Sequence, residues 1–398
     1  MSEAVHIKNT GLRGIAVADT KISFIDGEQG ILIYRGYRIE ELAEKSSFLE
    51  TAFLLLYGAL PDKKKLEEFT RHIAEERKLP DFIHGCLEKI PKQASPMDVL
   101  QASVPLLAAA DPEVAEETRE ANVRKAIRLI SRLPALVAAW HRIRNGLEPL
   151  PPDSGLTHAG NFLWQLHGEK PDPGTARDLD VCLILHADHT FNASTFACRE
   201  VVSTQAHMYS GVAAGIGALS GPLHGGANAR VMRMLMEIES EKDIPAWVRR
   251  QLEQGKKIMG MGHAVYKTTD PRAKILREMS RRLGEKFGQP KWYELSVRVE
   301  QAAVAEFERR GMMTLKPNVD FYSASVYCMM GIPADLMTPL FALSRIAGWC
   351  AHIIEEKFAD AQKKPELYRP ESEYIGMYCG QMGCVYQEIE DRKPASQS

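Results

Sequence analysis

Cysteine is scarce in this sequence and forms no recognisable pairs: seven residues, at 86, 182, 198, 328, 350, 379 and 384, with no C-x-x-C motif. An odd, scattered set gives no support to a disulfide scaffold or a zinc finger, and it fits a reducing compartment. An excess of charge of one sign is also missing. Lysines and arginines number 50 against 52 acidic residues, for a formal net charge of -2, so no overall field would recruit nucleic acid or an anionic membrane. The conspicuous uncharged stretch at 208–219 is rich in Gly and Ala and too short to span a bilayer. The opening MSEAVHIKNTGLRG lacks the apolar core of a secretory signal, so a cytoplasmic protein is expected. Heptads, low-complexity tracts and short-period repeats are absent as well. What remains is 398 residues of ordinary composition, enough to bury a large core in one large domain or two.

The apolar periodicity is mainly helical. Residues 22–33, two apolar runs around Asp26-Gly27, read as a short hairpin whose turn accepts positive φ, and as the only sheet. From Ile39 onward, IEELAEKS, ETAFLLLYGAL, PMDVLQASVPLLAA and the run 114–145 carry apolar residues at helical intervals. Further helices are expected over 161–167, 177–189, 195–219, 227–238, 245–254, 271–287, 296–310, 321–330 and 333–358. In the 195–219 helix, Gly211, Gly215 and Gly217 permit close packing, either inside the monomer or at a subunit interface. The connectors LEPLPPDSG and EKPDPGTA are too short to prove a domain boundary.

The stretch 220–263 has a histidine in a glycine turn at either end, Gly-Pro-Leu-His224-Gly-Gly and Gly260-Met-Gly262-His263. Glycine neighbours remove Cβ bulk, so imidazole and backbone can both approach a ligand. Downstream, Asp320 sits in Lys-Pro-Asn-Val-Asp-Phe-Tyr-Ser. Two histidines and a carboxylate at loop-to-helix junctions form a candidate acid/base set. Asp320 has a bland alternative as the cap of a helix starting at Phe321, where helix amides would depress its pKa unless it turned toward a dry cleft. Asp270-Pro271 reads as a cap and first-turn pair that places Arg272 at a helix start. If Arg272, Arg345 and Arg369 converge, their guanidinium forks suit a small di- or tricarboxylate; the alternative is ordinary surface pairing. His186-Ala-Asp188-His189 invites a metal, yet no H-E-x-x-H or cysteine partner completes a site, so a ligand contact by His189 is preferred. Gly260-Met-Gly262 lacks the third glycine and preceding strand of a dinucleotide fingerprint, and no Walker lysine follows.

In order along the chain, HADHTFNASTF, GPLHGGAN, GMGHAVYKTTDPRA, PNVDFYSA and ALSRIAGW resemble the citrate synthase family. GLRGIAVADTKISFIDGEQGILIYRGY is similar to its short-chain bacterial and archaeal members. The resemblance covers nearly the whole chain. It implies an all-α, two-domain fold with a short N-terminal β-hairpin, in which 1–224 and 331–398 build a large domain and 225–330 a small one that closes over the substrate. His224 would then donate a hydrogen bond to the thioester carbonyl of acetyl-CoA while Asp320 removes a methyl proton. A carboxylate of ordinary pKa, about 3.9, is too weak to make a free enolate, so the two would act in concert with water excluded. His263 would polarise the oxaloacetate ketone and protonate the new alkoxide, with His189, Arg272 and Arg345 holding oxaloacetate.

By the same resemblance, Arg369 would come from the partner subunit of a homodimer. Residues 256–266 would wrap CoA through Lys256, Lys257, Met259, Gly260, Met261, Gly262 and Ala264, with Lys267 near phosphates. No metal, cofactor, nucleic acid or membrane is implied, acetyl-CoA being a co-substrate. Two departures stand out: Glu371 and Glu373 follow the Arg-Pro pair, where a basic or small residue is common, and Met261 replaces an aromatic residue. The extra N-terminal domain of the NADH-inhibited enzymes is not evident, so a dimer without that control is expected. Within the family, 2-methylcitrate synthase is the main alternative, because one methylene is worth only about 1–3 kcal/mol in a pocket; a citryl-CoA lyase would share the cleft. Outside it stand a metal-dependent hydrolase and a non-catalytic helical scaffold.

Overall fold

Polar residues at helix starts fix most of the element boundaries. Ser47, Asp62, Thr118, Thr157, Asp172, Asn192, His207, Asp243, Asp270 and Asn318 each accept a hydrogen bond from a backbone N–H in the first turn that follows. The structure, a computed structural model, describes residues 11–12, 14–238, 242–378 and 380–392. Residues 1–10, the greater part of the opening MSEAVHIKNTGLRG, lie outside them. They form one antiparallel sheet of β1 (Ser23–Asp26), β2 (Ile31–Tyr34) and β3 (Tyr37–Arg38), in that order. Sixteen α-helices follow: α1 (Ile39–Lys45), α2 (Phe48–Tyr57), α3 (Lys63–Glu75), α4 (Asp81–Lys89), α5 (Pro96–Ala109), α6 (Arg119–Arg144), α7 (His158–His167) and α8 (Pro173–His186). The second half holds α9 (Ala193–Ser203), α10 (Met208–Ser220), α11 (Ala227–Glu237), α12 (Ile244–Glu253), α13 (Pro271–Lys286), α14 (Pro290–Arg309), α15 (Val319–Met329) and α16 (Met337–Phe358).

Helix α16 is the centre of the core. Ala334–Phe358 is long and apolar enough to cross a membrane, but 94 % of its apolar window is buried by α2, α6, α8, α9 and α10, which marks it as a core helix. Each fully buried Leu or Ile contributes roughly 1.5–3 kcal/mol. Leu340, Leu343, Ile346, Ile353 and Ile354 thereby offset the cost of the charges that the same helix carries inward. A second group, α11 to α15, packs mainly within itself, α13 on α15, α11 on α15 and α12 on α14.

Three expectations need correction. The single helix over 195–219 is two antiparallel helices, α9 and α10, broken where Gln205 takes φ 69°. The break folds the glycines onto α9 and α5: a Cβ on Gly215 would lie 2.4 Å from Cys198 Sγ, and one on Gly217 2.5 Å from Gln101 Nε2. They therefore serve packing inside the monomer. Second, the hairpin turn takes its positive φ at Gly30, not in the Asp26-Gly27 pair, because Asp26 Oδ1 accepts from the amides of Glu28 and Gln29 and widens the turn. Third, Cys384 is disulfide-bonded, whereas Cys86, Cys182, Cys198, Cys328 and Cys350 are free thiols.

Gly27 has a different use, as a docking point. Its carbonyl accepts from the Lys267 amide at 2.9 Å, Glu28 pairs with Lys267, and a Cβ at position 27 would sit 2.2 Å from the Val265 carbonyl oxygen. Nothing but hydrogen fits there. Gly27→Ala should lower stability in urea denaturation by about 1–3 kcal/mol, the usual cost of overpacking. Gly85→Ala, in a helix interior with nothing within 4 Å of the new methyl, should raise it by about 0.5–1 kcal/mol. Equal midpoints for Gly27→Ala and the parent protein would mean that the hairpin does not dock on 265–267.

Candidate active site

The segment carrying His263 is zipped to the segment carrying Asp320. Gly262 N donates to Lys316 O at 2.8 Å, Asn318 N to Gly260 O at 2.9 Å and Asn318 Nδ2 to Gly262 O at 2.8 Å, with a β-bridge between Met261 and Pro317. Gly260, at φ 76°, lies so close to α15 that a Cβ would meet Phe321 Cα at 2.9 Å. Asn318 also caps α15, accepting from the Asp320 amide at 3.0 Å. Asp320 is therefore not the cap. It sits in the first turn of α15, and its carboxyl stays free of that duty.

Asp270 links a third element to the pair. Its carboxylate takes Arg272 N and Nε at 3.0 Å, Arg272 Nη2 at 2.8 Å and the Val319 amide at 3.2 Å, so one buried anion joins the starts of α13 and α15. Arg272, 2 % exposed, keeps a raised pKa: burial opposes its charge, but Asp270 and Tyr266 more than compensate. Arg345 is equally buried and differs in one respect. Its Nε donates to the His186 carbonyl at 2.7 Å, but among the described residues no carboxylate lies within ion-pair distance. Burial lowers its pKa from 12.5 to about 10, with Asp188 and Tyr34 only partly opposing. A buried guanidinium without a counter-ion costs several kcal/mol, which an anionic ligand would remove.

The histidines surround these cations. His189 and His263 have ring centroids 5.1 Å apart, and Tyr266 stands 4.7 Å from His263 and 5.6 Å from His189. Arg272 and Arg345 both bear electrostatically on His189 and on Asp320, while Arg345 acts on His224 and Arg272 on His263. His189, His224, His263 and Asp320 thus share these two guanidiniums as electrostatic neighbours.

Backbone amides settle which ring nitrogens carry protons. His263 Nδ1 accepts from Val265 N at 2.9 Å and Tyr266 N at 3.2 Å, leaving Nε2–H as a donor. His224 Nε2 accepts from Ser194 N at 3.2 Å and lies 2.8 Å from Ser194 Oγ, leaving Nδ1–H. Ser194 Oγ is itself held by Trp349 Nε1 of α16 at 3.2 Å and Asn192 Oδ1 at 2.7 Å. Burial, with Arg345 beside His224 and Arg272 beside His263, lowers both pKa values to about 4. Both rings are neutral donors at pH 7. Asp320 moves the other way: burial raises its pKa from 3.8 to about 6, against the pull of Arg272. The arrangement offers a strengthened carboxylate base and two neutral hydrogen-bond donors beside an anion site.

Other residues singled out from the sequence lie elsewhere. His186 Nδ1 turns inward to Cys182 O at 2.8 Å. Asp188 is engaged by Ser23, Thr190 N and, at 3.3 Å, His352 Nε2. The His186-Ala-Asp188-His189 motif is thus divided between core and cleft, and among the described residues no three His, Cys, Asp or Glu side chains converge to hold a metal ion. Arg369 is exposed after α16 and makes no hydrogen bond within the described chain. Lys256, Lys257, Ala264 and Lys267 are exposed, whereas Met259, Met261 and Gly262 are half-buried and Gly260 is buried at the cleft rim. Sequence reasoning missed Ser194, Tyr266 and Tyr34, whose hydroxyl donates to Asp188 O at 2.8 Å and accepts from Asp188 N at 3.1 Å. For Ser194 only its place inside HTFNASTF offered a signal.

Fold and cleft together define a helical enzyme equipped for acid–base chemistry on an anionic substrate. Comparison with known proteins narrows the class. A family model described as citrate synthase, C-terminal domain, matches residues 11–371. Citrate synthase of Haloferax volcanii is 45 % identical over 371 residues, 92 % of this chain and 95 % of that protein. The crystal structure of citrate synthase from Pyrobaculum aerophilum superposes with a TM-score of 0.89 at 38 % identity, covering 98 % of this chain and 100 % of that one. The enzyme from Thermoplasma acidophilum, solved as a ternary complex with carboxymethyl coenzyme A and oxaloacetate, gives 0.84 at 33 % identity over 95 % and 98 %. A 2-methylcitrate synthase of Mycobacterium tuberculosis is 39 % identical over 92 % of this chain and 90 % of that protein, below the 45 % of the Haloferax volcanii citrate synthase. The chain belongs to the citrate synthase family, and its activity is that of an acyltransferase of this type.

An acid whose pKa is raised on folding costs stability once it ionises, so the penalty is full above about pH 6 and fades as pH falls toward 3.8. Asp320→Asn should therefore be more stable than the parent protein at pH 7.5, by up to about 3 kcal/mol less whatever cleft water screens, and the gain should shrink by pH 4.5. Urea titrations at the two pH values test this; a variant less stable at pH 7.5 would mean that Asp320 is ionised without cost.

Proposed function

We propose that His224, His263 and Asp320 divide the work of condensing acetyl-CoA with oxaloacetate to citrate and CoA. The Asp320 carboxylate takes a proton from the thioester methyl group while His224 Nδ1–H donates to the thioester oxygen, where enolate charge develops. Its raised pKa, about 6, brings the base closer to the acidity of that carbon acid. A neutral donor is suited to the enolate because it stabilises charge without becoming an acid that would quench it. The enolate carbon then attacks the ketone carbon of oxaloacetate. His263 Nε2–H polarises the ketone oxygen and passes its proton to the alkoxide, giving citryl-CoA; the proton that Asp320 took from the methyl group balances the one that His263 gives up and regains, and water then cleaves the thioester to release citrate and CoA.

Arg272, Arg345 and His189 bind the oxaloacetate carboxylates in this reading. The observation that carries it is Arg345, buried near His224, His189 and Asp320 with no carboxylate within ion-pair distance among the described residues. The ternary complex of the Thermoplasma acidophilum enzyme supports the same pair of ligands. The lobe 225–330 closes over oxaloacetate against 1–224 and 331–398, so that Asp320 meets acetyl-CoA only in a dry cleft. Residues 256–264 line the CoA path at the rim, with Met261 in the place of an aromatic side chain. No metal or further cofactor takes part.

The working unit is a cytoplasmic homodimer. After α16, Ile375, Met382 and Val385 are at least 90 % exposed, an apolar segment suited to a second copy of the chain. It brings Arg369 to the partner's cleft.

Steady-state kinetics with free-thiol detection should give citrate, and a kcat/KM for acetyl-CoA well above that for propionyl-CoA; the reverse preference would make this a 2-methylcitrate synthase. The acid limb of kcat/KM should follow Asp320, with an apparent pKa about 6, since both histidines stay neutral down to about 4. His263→Ala and Asp320→Ala should each lower kcat by roughly 10²–10⁴-fold with the fold intact. Near-normal rates in either variant would remove these roles.

A further inference from the structure

One hydroxyl in the cleft has nothing to bond to. Tyr266 is 2 % exposed, and its phenol oxygen is buried without a hydrogen-bond partner. Leaving such a group bare costs stability, and phenylalanine would fill the same space without that cost. The acceptors within electrostatic reach are already committed. Asp270 holds Arg272 and the Val319 amide, the Tyr34 oxygen is bound to the backbone of Asp188, and Glu40 pairs with Arg38. The remaining neighbours are the Arg272 guanidinium and the rings of His189 and His263. His189 Nε2 is likewise buried and unpartnered. Two polar atoms left bare beside a cation describe a space that a ligand oxygen completes.

Tyr266 is also held rigidly. Its backbone amide is one of the two that fix His263 Nδ1, at 3.2 Å, and the next amide, Lys267 N, is clamped to Gly27 O at 2.9 Å. The β1–β2 turn therefore sets the ring from one side and His263 from the other. Burial pushes the phenol pKa up, so the hydroxyl remains a neutral donor throughout the working pH range.

We propose that Tyr266 is a substrate-binding residue whose hydroxyl donates a hydrogen bond to a carboxylate oxygen of oxaloacetate beside Arg272. The assignment rests on the reading of the cleft as an oxaloacetate site. Tyr266 takes no part in proton transfer, and its contact forms with the bound substrate as well as with the transition state. Its loss therefore appears in KM rather than in kcat.

Tyr266→Phe keeps the ring contacts with His263 and His189 and removes only the hydroxyl. A hydrogen bond to a charged group is worth about 1.5–3 kcal/mol, so KM for oxaloacetate should rise roughly 10- to 100-fold. KM for acetyl-CoA and kcat should stay within about threefold, and the melting temperature without ligand should be unchanged or higher, as expected when an unsatisfied hydroxyl is removed. An oxaloacetate KM within twofold of the parent enzyme overturns the proposal, as does a fall in kcat equal to the rise in KM. So does a lower melting temperature with KM unchanged, which would make the hydroxyl structural. Failure of the parent enzyme itself to form citrate from oxaloacetate would instead refute the underlying reading of the cleft.

Discussion

A guanidinium buried without a carboxylate partner is the constraint on which the cleft depends. Arg345 is carried inward by the core helix α16 and held through one hydrogen bond to the His186 carbonyl. Elsewhere on the same helix and its neighbour, buried charge is neutralised directly: Arg199 of α9 pairs with Glu355 at 2.7 Å and Glu356 at 2.6 Å. Arg77 is also buried on backbone carbonyls alone, those of Asp153 and Leu156, so what sets Arg345 apart is its place among the cleft residues. The apolar side chains along α16 supply enough burial to carry one uncompensated cation. The benefit is a site whose electrostatic gap is matched by a small anion.

The rest of the machinery is preorganised by backbone. Two amides fix the proton on His263, one amide and a serine fix it on His224, and the ladder between 260–262 and 316–318 ties His263 to Asp320. Because these donors are amides, they cannot switch roles with pH, and the ring nitrogens that face the cleft stay donors. The hairpin adds a strut. Ser23 and Tyr34 at its base bind the Asp188 segment next to His189, while Gly27 at its tip binds the segment after His263. The small sheet thus spans the two strips of chain from which the histidines project.

Much of this was legible in the sequence, for identifiable reasons. Helical periodicity and polar caps gave the helices, and Asp270-Pro271 gave the start of α13 and the position of Arg272, because capping is local chemistry. The break at Gln205 was not legible: residues 199–209 contain neither Gly nor Pro, and a non-glycine residue in the left-handed region carries no compositional mark. Asp320 was ambiguous as a cap because Asn318, two residues earlier, is an equally good one; only the fold decides between them. Gly27 read as turn chemistry when its reason is a contact with residue 265, far along the chain. Ser194 and Tyr266 were missed for the same reason. Their roles are set by which atoms approach them from other elements, and no single-residue preference encodes that.

The central claim is that the buried charge of Arg345 is the counterpart of oxaloacetate. It is tested most directly by thermal unfolding of the parent protein and of Arg345→Leu, each with and without millimolar oxaloacetate and no CoA. Ligand that binds only the folded state must raise the melting temperature. The parent protein should rise by several degrees, and the folded variant should not move. An equal rise in Arg345→Leu would contradict the account, because the anion would then be held without the cation that the cleft leaves unpaired.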